Sequence, residues 1–565
     1  MITSTEVEQI GRVEGLLAAA KRIGYSNHGE TELIKALAQG ASLRNELVSD
    51  VDLAEIKALN GSNFFELQMV LCDVIPYLSA PTSDVMNLVA ALVETGGEDL
   101  AANQPNAAFR QWCANDVRRA DDVIASAREG HELALNHLVF ALQAKNDFEA
   151  AMQSARAGGD ERTAGVLALS RIKLGEQEST SALDVVLNIS QSLVPKDAAG
   201  LLKAALDIAS KHPAIERSKI ATELNRLSET TDPTAVHLMA SALYWHGEEM
   251  SDNEIASCLL GIQKVNPENS GTVRQIDDAL RKMWPSRSYE VGQTISALIC
   301  KSKGKVGNHA LSGILSEGDA EEGQSLTQLA TEWLLKGNYE LCASLASHFS
   351  EINRTTPCLN VTPSDLPTTA AEQVFVCRKA VGHFFLSPMT AAAWIVAVIR
   401  SGGPAAKDAV ELLFDPLLMN YGGALKNWLE ELLTDDLPGN TLIEGTLKRA
   451  QKVWDSFEAV REVVELQPSS AKRALLRFQE EEEAEQVHNS AREKSIFADL
   501  FTTQTLLYGD RSSFSIVDGE GNRRPQTVNM AAMSVSSELP KGIFFDPTGT
   551  EWTLEVFKQE QRPKE

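Results

Sequence analysis

Along most of this chain apolar residues recur every three or four positions, the spacing that lines one face of an α-helix. Val13, Leu16, Leu17, Ala20 and Ile23 set the pattern near the start. Polar breaks cut it into short segments. Asn60-Gly61-Ser62-Asn63 offers Ser62 or Asn63 as the cap of a helix over 64–74. The stretch 79–84 carries further capping residues, and Glu94-Thr95-Gly96-Gly97 ends the helix that follows. Residues 1–125 therefore read as a helical region.

From about residue 126 the helices come in pairs joined by a tight turn. The clearest pair spans 326–349, with Ala330, Trp333, Gly337, Tyr339, Cys342 and Ala346 arranged around the turn Gly337-Asn338-Tyr339. A second pair has Leu138, Leu142, Asn146-Asp147-Phe148, Ala151 and Ala155, with Val139 where the first pair has a small residue. A fragment over 236–247 keeps Ala240, Tyr244 and Gly247 but shows no matching second helix. This pattern resembles the tetratricopeptide repeat, in which small residues sit where two helices touch and aromatics flank the turn. The resemblance implies stacked helical hairpins over 126–352 and gives Ala330, Trp333, Gly337, Tyr339, Cys342 and Ala346 a role in repeat packing. A period of about 34 residues is not kept between units, so a looser array similar to HEAT repeats fits the same residues.

Pro357, Pro363 and Pro367 mark the Pro/Thr-rich span 353–370 as a linker. A second helical region follows over 371–505, broken near 401–404 and 437–440 and ending in a long charged helix over 471–500. Beyond it the helical period disappears. Phe514 to Val517 reads as a strand, 518–522 as a hairpin turn, and the alternation of Trp552, Leu554 and Val556 as a last strand. Residues 506–565 are thus expected to form a small β module docked on the preceding helices, since sixty residues bury little apolar area alone. The expected fold class is mainly α: an α-solenoid of stacked hairpins, TPR- or HEAT-like, with a small C-terminal β module.

Composition sharpens this picture. Hydrophobic residues make up 43% and charged ones 23%, which are globular values, and aromatics only 6%. The net charge of −26 repels a phosphate backbone, so direct nucleic-acid binding is not expected and a protein partner is. Seven scattered cysteines without a Cys-x-x-Cys pair suit a reducing compartment. The first residues have no basic stretch followed by an apolar core, and the apolar run 384–399 is interrupted by Pro388. A cytoplasmic chain without membrane spans is the expectation.

Chemistry was sought by motif. His28, His131 and His246 each lie near a glutamate, but no His-Glu-x-x-His occurs, so no metal site is expected. Neither a Gly-x-Ser-x-Gly elbow nor a phosphate-binding glycine loop is present, and no cofactor or catalytic residue is assigned. Lys301, Lys303 and Lys305 in one loop, and Arg523 with Arg524 in the hairpin, are candidates for contact with an anion or an acidic partner. The expected function is a non-catalytic scaffold or adaptor subunit that binds a partner protein through a helical-repeat groove. An alternative is an enzyme with its site in 372–565, using Cys377 and His383, or Asp510 and Asp518 with Arg523. Another is an accessory subunit of a nucleic-acid-processing or bacterial defence assembly.

Overall fold

Local capping sets where many of the helices begin. Thr3 and Ser49 accept the N–H of Glu6 and Asp52, whose carboxylates reach back to the cap. Asp116, Asp147 and Asp232 cap with the side-chain oxygen alone. The computed structural model describes residues 2–97, 103–212, 215–307, 310–320, 324–349, 356–434, 436–461, 463, 468–493, 511–517, 523–529 and 538–564. They fall into two compact units, Met1–Val306 and Gly307–Glu565. The division lies inside the span 126–352 that reads as one array, and the Pro/Thr-rich span 353–370 belongs to the second unit.

The first unit is helical throughout its described residues. Its helices are α1 (Ser4–Val13), α2 (Leu16–Ile23), α3 (Thr31–Ser42), α4 (Asp50–Ala58), α5 (Gly61–Val74), α6 (Thr82–Gly96), α7 (Asn103–Asn115), α8 (Val117–Arg128) and α9 (Glu132–Lys145). They continue with α10 (Phe148–Arg156), α11 (Gly159–Arg171), α12 (Glu176–Ser190), α13 (Pro195–Ser210), α14 (Ser218–Ser228), α15 (Pro233–His246), α16 (Asp252–Ile262) and α17 (Ser270–Lys301). The odd-numbered helices from α3 to α17 pack each on the next in one unbroken row. Even-numbered helices form a second layer, with α10, α12, α14 and α16 in contact in turn. Helix α5 starts at Gly61, ahead of the expected 64–74, with Asn60 at the cap position. Helix α17 is kinked around Pro285, where Arg287 leaves helical angles (φ −142°, ψ 40°).

Small residues bring the layers together. Ala134, Ala141, Ala168, Ala204, Ala205, Ala235 and Ala240 are buried on the odd-numbered row. At Gly165 a Cβ would lie 2.2 Å from the backbone nitrogen of Ala155, so only glycine lets α10 and α11 cross this closely. Buried charge is paired. The Glu254 carboxylate, fully shielded from solvent, accepts from Arg217 Nε at 3.0 Å and from the Ser251 hydroxyl at 2.8 Å. Glu223 is held by Arg226 and by the Ser190 hydroxyl, which joins α14 to α12.

The second unit contains α18 (Ser312–Ala320), α19 (Gln324–Lys336), α20 (Tyr339–His348), α21 (Ala370–Phe384), α22 (Pro388–Ser401), α23 (Ala406–Leu412), α24 (Ala424–Leu432), α25 (Asn440–Arg461) and α26 (Ser470–Glu493). A strand pair, β1 (Arg511–Val517) and β2 (Arg523–Asn529), and two last helices, α27 (Gly542–Phe545) and α28 (Pro547–Gln559), follow. Most of the apolar run 384–399 is core: every residue of α22 from Pro388 to Ile399 is buried, while Leu386 ahead of it is exposed. The Trp394 ring stacks on Phe384 at 5.7 Å, and its Nε1 donates to the Thr331 hydroxyl at 2.9 Å. No helix among the described residues is long and apolar enough to cross a membrane. Helix α26 corresponds to the charged helix read over 471–500; residues 494–500 lie outside the described ones.

The small β module expected over 506–565 is not supported. Strands β1 and β2 pair only with each other, antiparallel, with Phe514 opposite Gln526. The expected last strand lies within helix α28. Asp546 accepts the N–H of Gly549 and Pro547 occupies the first turn, so what looks like a turn is a helix start. Leu554, Phe557 and Lys558, spaced three and four apart, take the face toward α21, while Trp552 and Val556 stay exposed. At Gly382 of α21 a Cβ would be 3.1 Å from the backbone nitrogen of Lys558. Around this contact Arg378 pairs with Glu560 at 2.9 Å, Arg562 pairs with Glu372, and the fully buried Lys379 amine donates to the Lys558 carbonyl at 2.5 Å.

Candidate functional site

The residues assigned to repeat packing meet where α19 turns into α20. Ala330, Trp333 and Cys342 are buried, and the Cys342 thiol lies 3.5 Å from the Trp333 carbonyl. Gly337 has φ +64°, the left-handed region that glycine occupies without strain. Asn338 then caps α20 through the N–H of Leu341. Tyr339 is 54% exposed, with its ring 5.8 Å from that of His383. Ala346 is half-buried. The second pair forms α9 and α10, turning at Asn146 (φ +52°) with Asp147 as cap. For the fragment over 236–247, the second helix absent from the sequence pattern is α16, which packs on α15.

The basic candidates are partly spent inside the fold. Lys301 donates to Gln263 Oε1 at 2.9 Å and Lys305 pairs with Glu268 at 3.3 Å, while Lys303 is exposed. Arg523 and Arg524 stand opposite Val517 and Ile516 in the ladder; their side chains lie outside the described residues.

The enzymatic candidates are not brought together as a catalytic set. Cys377 is fully buried, and burial pushes its thiol far up. Six residues along α21, His383 projects from another face into a cleft of about 590 Å³ that Cys377 does not line. Burial, then Lys379 and Lys558, pull the His383 pKa down to about 4, so its imidazole is neutral and its buried Nε2 has no hydrogen-bond partner. Asp510 and Asp518 lie outside the described residues. Among the described residues no three His, Cys, Asp or Glu side chains are disposed to hold a metal.

A more open feature lies in the first unit. Four successive helices of the odd-numbered row, α5, α7, α9 and α11, line a groove of about 660 Å³. Small residues line part of it, Ala107 and Ala114 on α7 and Ala144 on α9. Amides and cations surround them: Gln104, Arg110 and Gln111 on α7, Gln143 on α9, and Arg171 at the end of α11. On the α5 side, Asp73 accepts from the Gly29 N–H at 3.0 Å and lies 3.6 Å from His28 Nδ1. At Cys72 beside it, burial and then Asp73 push the thiol up to about 12.

Two details mark this groove as incomplete. The Gln143 Nε2 is buried without an acceptor, a condition that costs ~1–3 kcal/mol for a typical amide. Arg110 and Arg171 have no carboxylate partner among the described residues. Some other cations of the unit do have one, as in Lys57–Glu94, Lys145–Asp121, Lys219–Asp184 and Arg287–Asp252. Sequence reasoning could not find these residues. Gln104, Ala107, Gln111 and Ala114 recur at helical spacing, but a polar and small-residue stripe reads as any solvated helix face. No protein-family model matches the chain, and no curated protein or solved structure is significantly similar to it.

Proposed function

We propose that this chain is a non-catalytic protein-interaction scaffold or adaptor, cytoplasmic, that binds a partner protein along the groove of α5, α7, α9 and α11. The observation that carries the reading is a groove lined by alanines and amides, crossing four stacked helices. Rows of packed helices present extended surfaces of this kind to a peptide or helix of a partner. Paired helices and a core of Ala, Leu and Val agree with a repeat architecture of the tetratricopeptide or HEAT type. The net charge of −26 favours a protein over a nucleic acid as the direct ligand.

The test compares the full-length tagged chain with Ala107→Trp, which adds an indole to the groove lining at an exposed position. Both are purified from native lysate and their companions quantified by mass spectrometry. Proteins retained by the wild type and depleted at least ten-fold with Ala107→Trp are expected. If both chains emerge alone, or with the same companions in the same amounts, the groove is not the binding surface.

A further inference from the structure

Resting on the groove reading, we infer that the occupant is an acidic, extended segment of the partner, whose carboxylates pair with Arg110 and Arg171. In a chain of net charge −26 these two guanidiniums stand at one groove without a carboxylate partner among the described residues. Asp73, the one acid lining the groove among the described residues, is already engaged by the Gly29 N–H and faces His28. The groove is therefore locally positive in an acidic molecule, which steers an acidic segment to it and repels one from the rest of the surface.

The remaining lining reads a peptide backbone. Glutamine side chains both donate and accept, as successive peptide groups do, and Gln104 and Gln111 are exposed on the lining. The exposed Ala107 and the half-buried Ala144 leave room for main chain to approach. Neighbouring helices lie roughly 9 Å apart, so the span from α5 to α11 is about 27 Å, the reach of about eight extended residues. Arg110 and Arg171 sit two helices apart, which places the paired acids about five residues apart along such a strand. A nucleic acid fits less well: two arginines neutralise few phosphates, and among the described residues no aromatic ring lines the groove other than that of His28.

The probe is an octapeptide library randomised over Glu, Gln, Lys, Leu and Ser, offered to the immobilised full-length chain at 100 mM NaCl. Retained peptides are sequenced by mass spectrometry. Glu is expected to exceed Gln at least ten-fold at two positions. That preference is expected to vanish in Arg110→Gln/Arg171→Gln, return in part in Arg110→Lys/Arg171→Lys, and persist in Arg118→Gln, a surface change outside the groove. Both double variants are expected to melt within about 2 °C of the wild type, because neither arginine has a partner to lose. Retention without charge preference, enrichment of Lys, or a Glu preference that survives Arg110→Gln/Arg171→Gln overturns the inference. Tighter binding of a fifteen-residue oligothymidylate, lost in the same variant, overturns it in favour of nucleic acid. If no peptide is retained while Ala107→Trp still depletes a companion from lysate, the acidic occupant is wrong and the groove reading stands. If the companion is also unaffected, both fall.

Discussion

The two clearest hairpins, α9–α10 and α19–α20, share one turn design and differ in what presses on it. Each has a left-handed residue followed by a side-chain cap: Asn146 then Asp147 in the first, Gly337 then Asn338 in the second. At the second turn a Cβ on Gly337 would lie 2.9 Å from the end of the buried Phe375 ring and 3.3 Å from Lys379 Cε, both on α21. At the first, a full asparagine fits, and its Oδ1 accepts the Lys173 N–H at 2.9 Å. Left-handed backbone alone does not demand glycine, since asparagine tolerates it. The close approach of a third helix does.

Exchanging the turn residues should therefore give unequal results. Gly337→Asn must displace the Phe375 ring from a tight core, and is expected to destabilise the second unit by ~2–3 kcal/mol. Asn146→Gly loses one exposed hydrogen bond and should cost about 0.5 kcal/mol or less. Denaturant unfolding of both variants, with hydrogen exchange to locate the loss, measures this. Equal effects would mean that α21 does not press on the second turn.

Acid should separate the two hairpins as well. His383 beside Tyr339 has its pKa lowered to about 4 by burial, then by Lys379 and Lys558, with Glu555 opposing. The unfolded chain has its histidine near the ordinary value of about 6.5. Between those values the unfolded state binds the extra proton, so stability falls as the pH is lowered from about 6.5 toward 4. A loss on the order of 2 kcal/mol is expected over this window, after allowance for partial solvent screening. On α9, burial also lowers His137, while its bond to the Leu133 carbonyl opposes the shift. His383→Gln should flatten the pH dependence of the second unit more than His137→Gln flattens that of the first. Parallel slopes in wild type and His383→Gln between pH 6.5 and 4 would show that the imidazole is not buried uncharged.

Much of this was legible from residue spacing. Helices with a continuous apolar face and both turns follow from local pattern, because capping and amphipathicity are local physics. The C-terminal helix was not, since Trp552, Leu554 and Val556 alternate by coincidence while the face that packs is Leu554, Phe557 and Lys558. Its clamp joins residues such as Arg378 and Glu560, 182 positions apart, which no window of sequence brings together. The groove was invisible for a related reason. Arg110, Gln143 and Arg171 become one site only when α7, α9 and α11 stack, and each alone is an ordinary surface residue.

The smallest difference expected between the hairpins lies in their caps. Asp147 accepts the Ala150 N–H at 3.1 Å and Asn338 accepts the Leu341 N–H at 3.0 Å, so the geometry is matched and only the charge differs. Replacing either by alanine should cost about 1 kcal/mol. The reciprocal exchange isolates the charge. Asp147→Asn keeps the acceptor but gives up the carboxylate at the positive helix end and the 3.3 Å contact with Lys145, which retains Asp121 at 2.9 Å. A loss of ~0.3–1 kcal/mol follows. Asn338→Asp adds a negative charge at the start of α20 and should stabilise by a similar ~0.3–1 kcal/mol at low salt, fading as salt screens it. Urea titrations at 20 and 500 mM NaCl read both signs, and a stabilisation by Asn338→Asp that does not weaken with salt would assign the gain to hydrogen-bond geometry instead of the helix dipole.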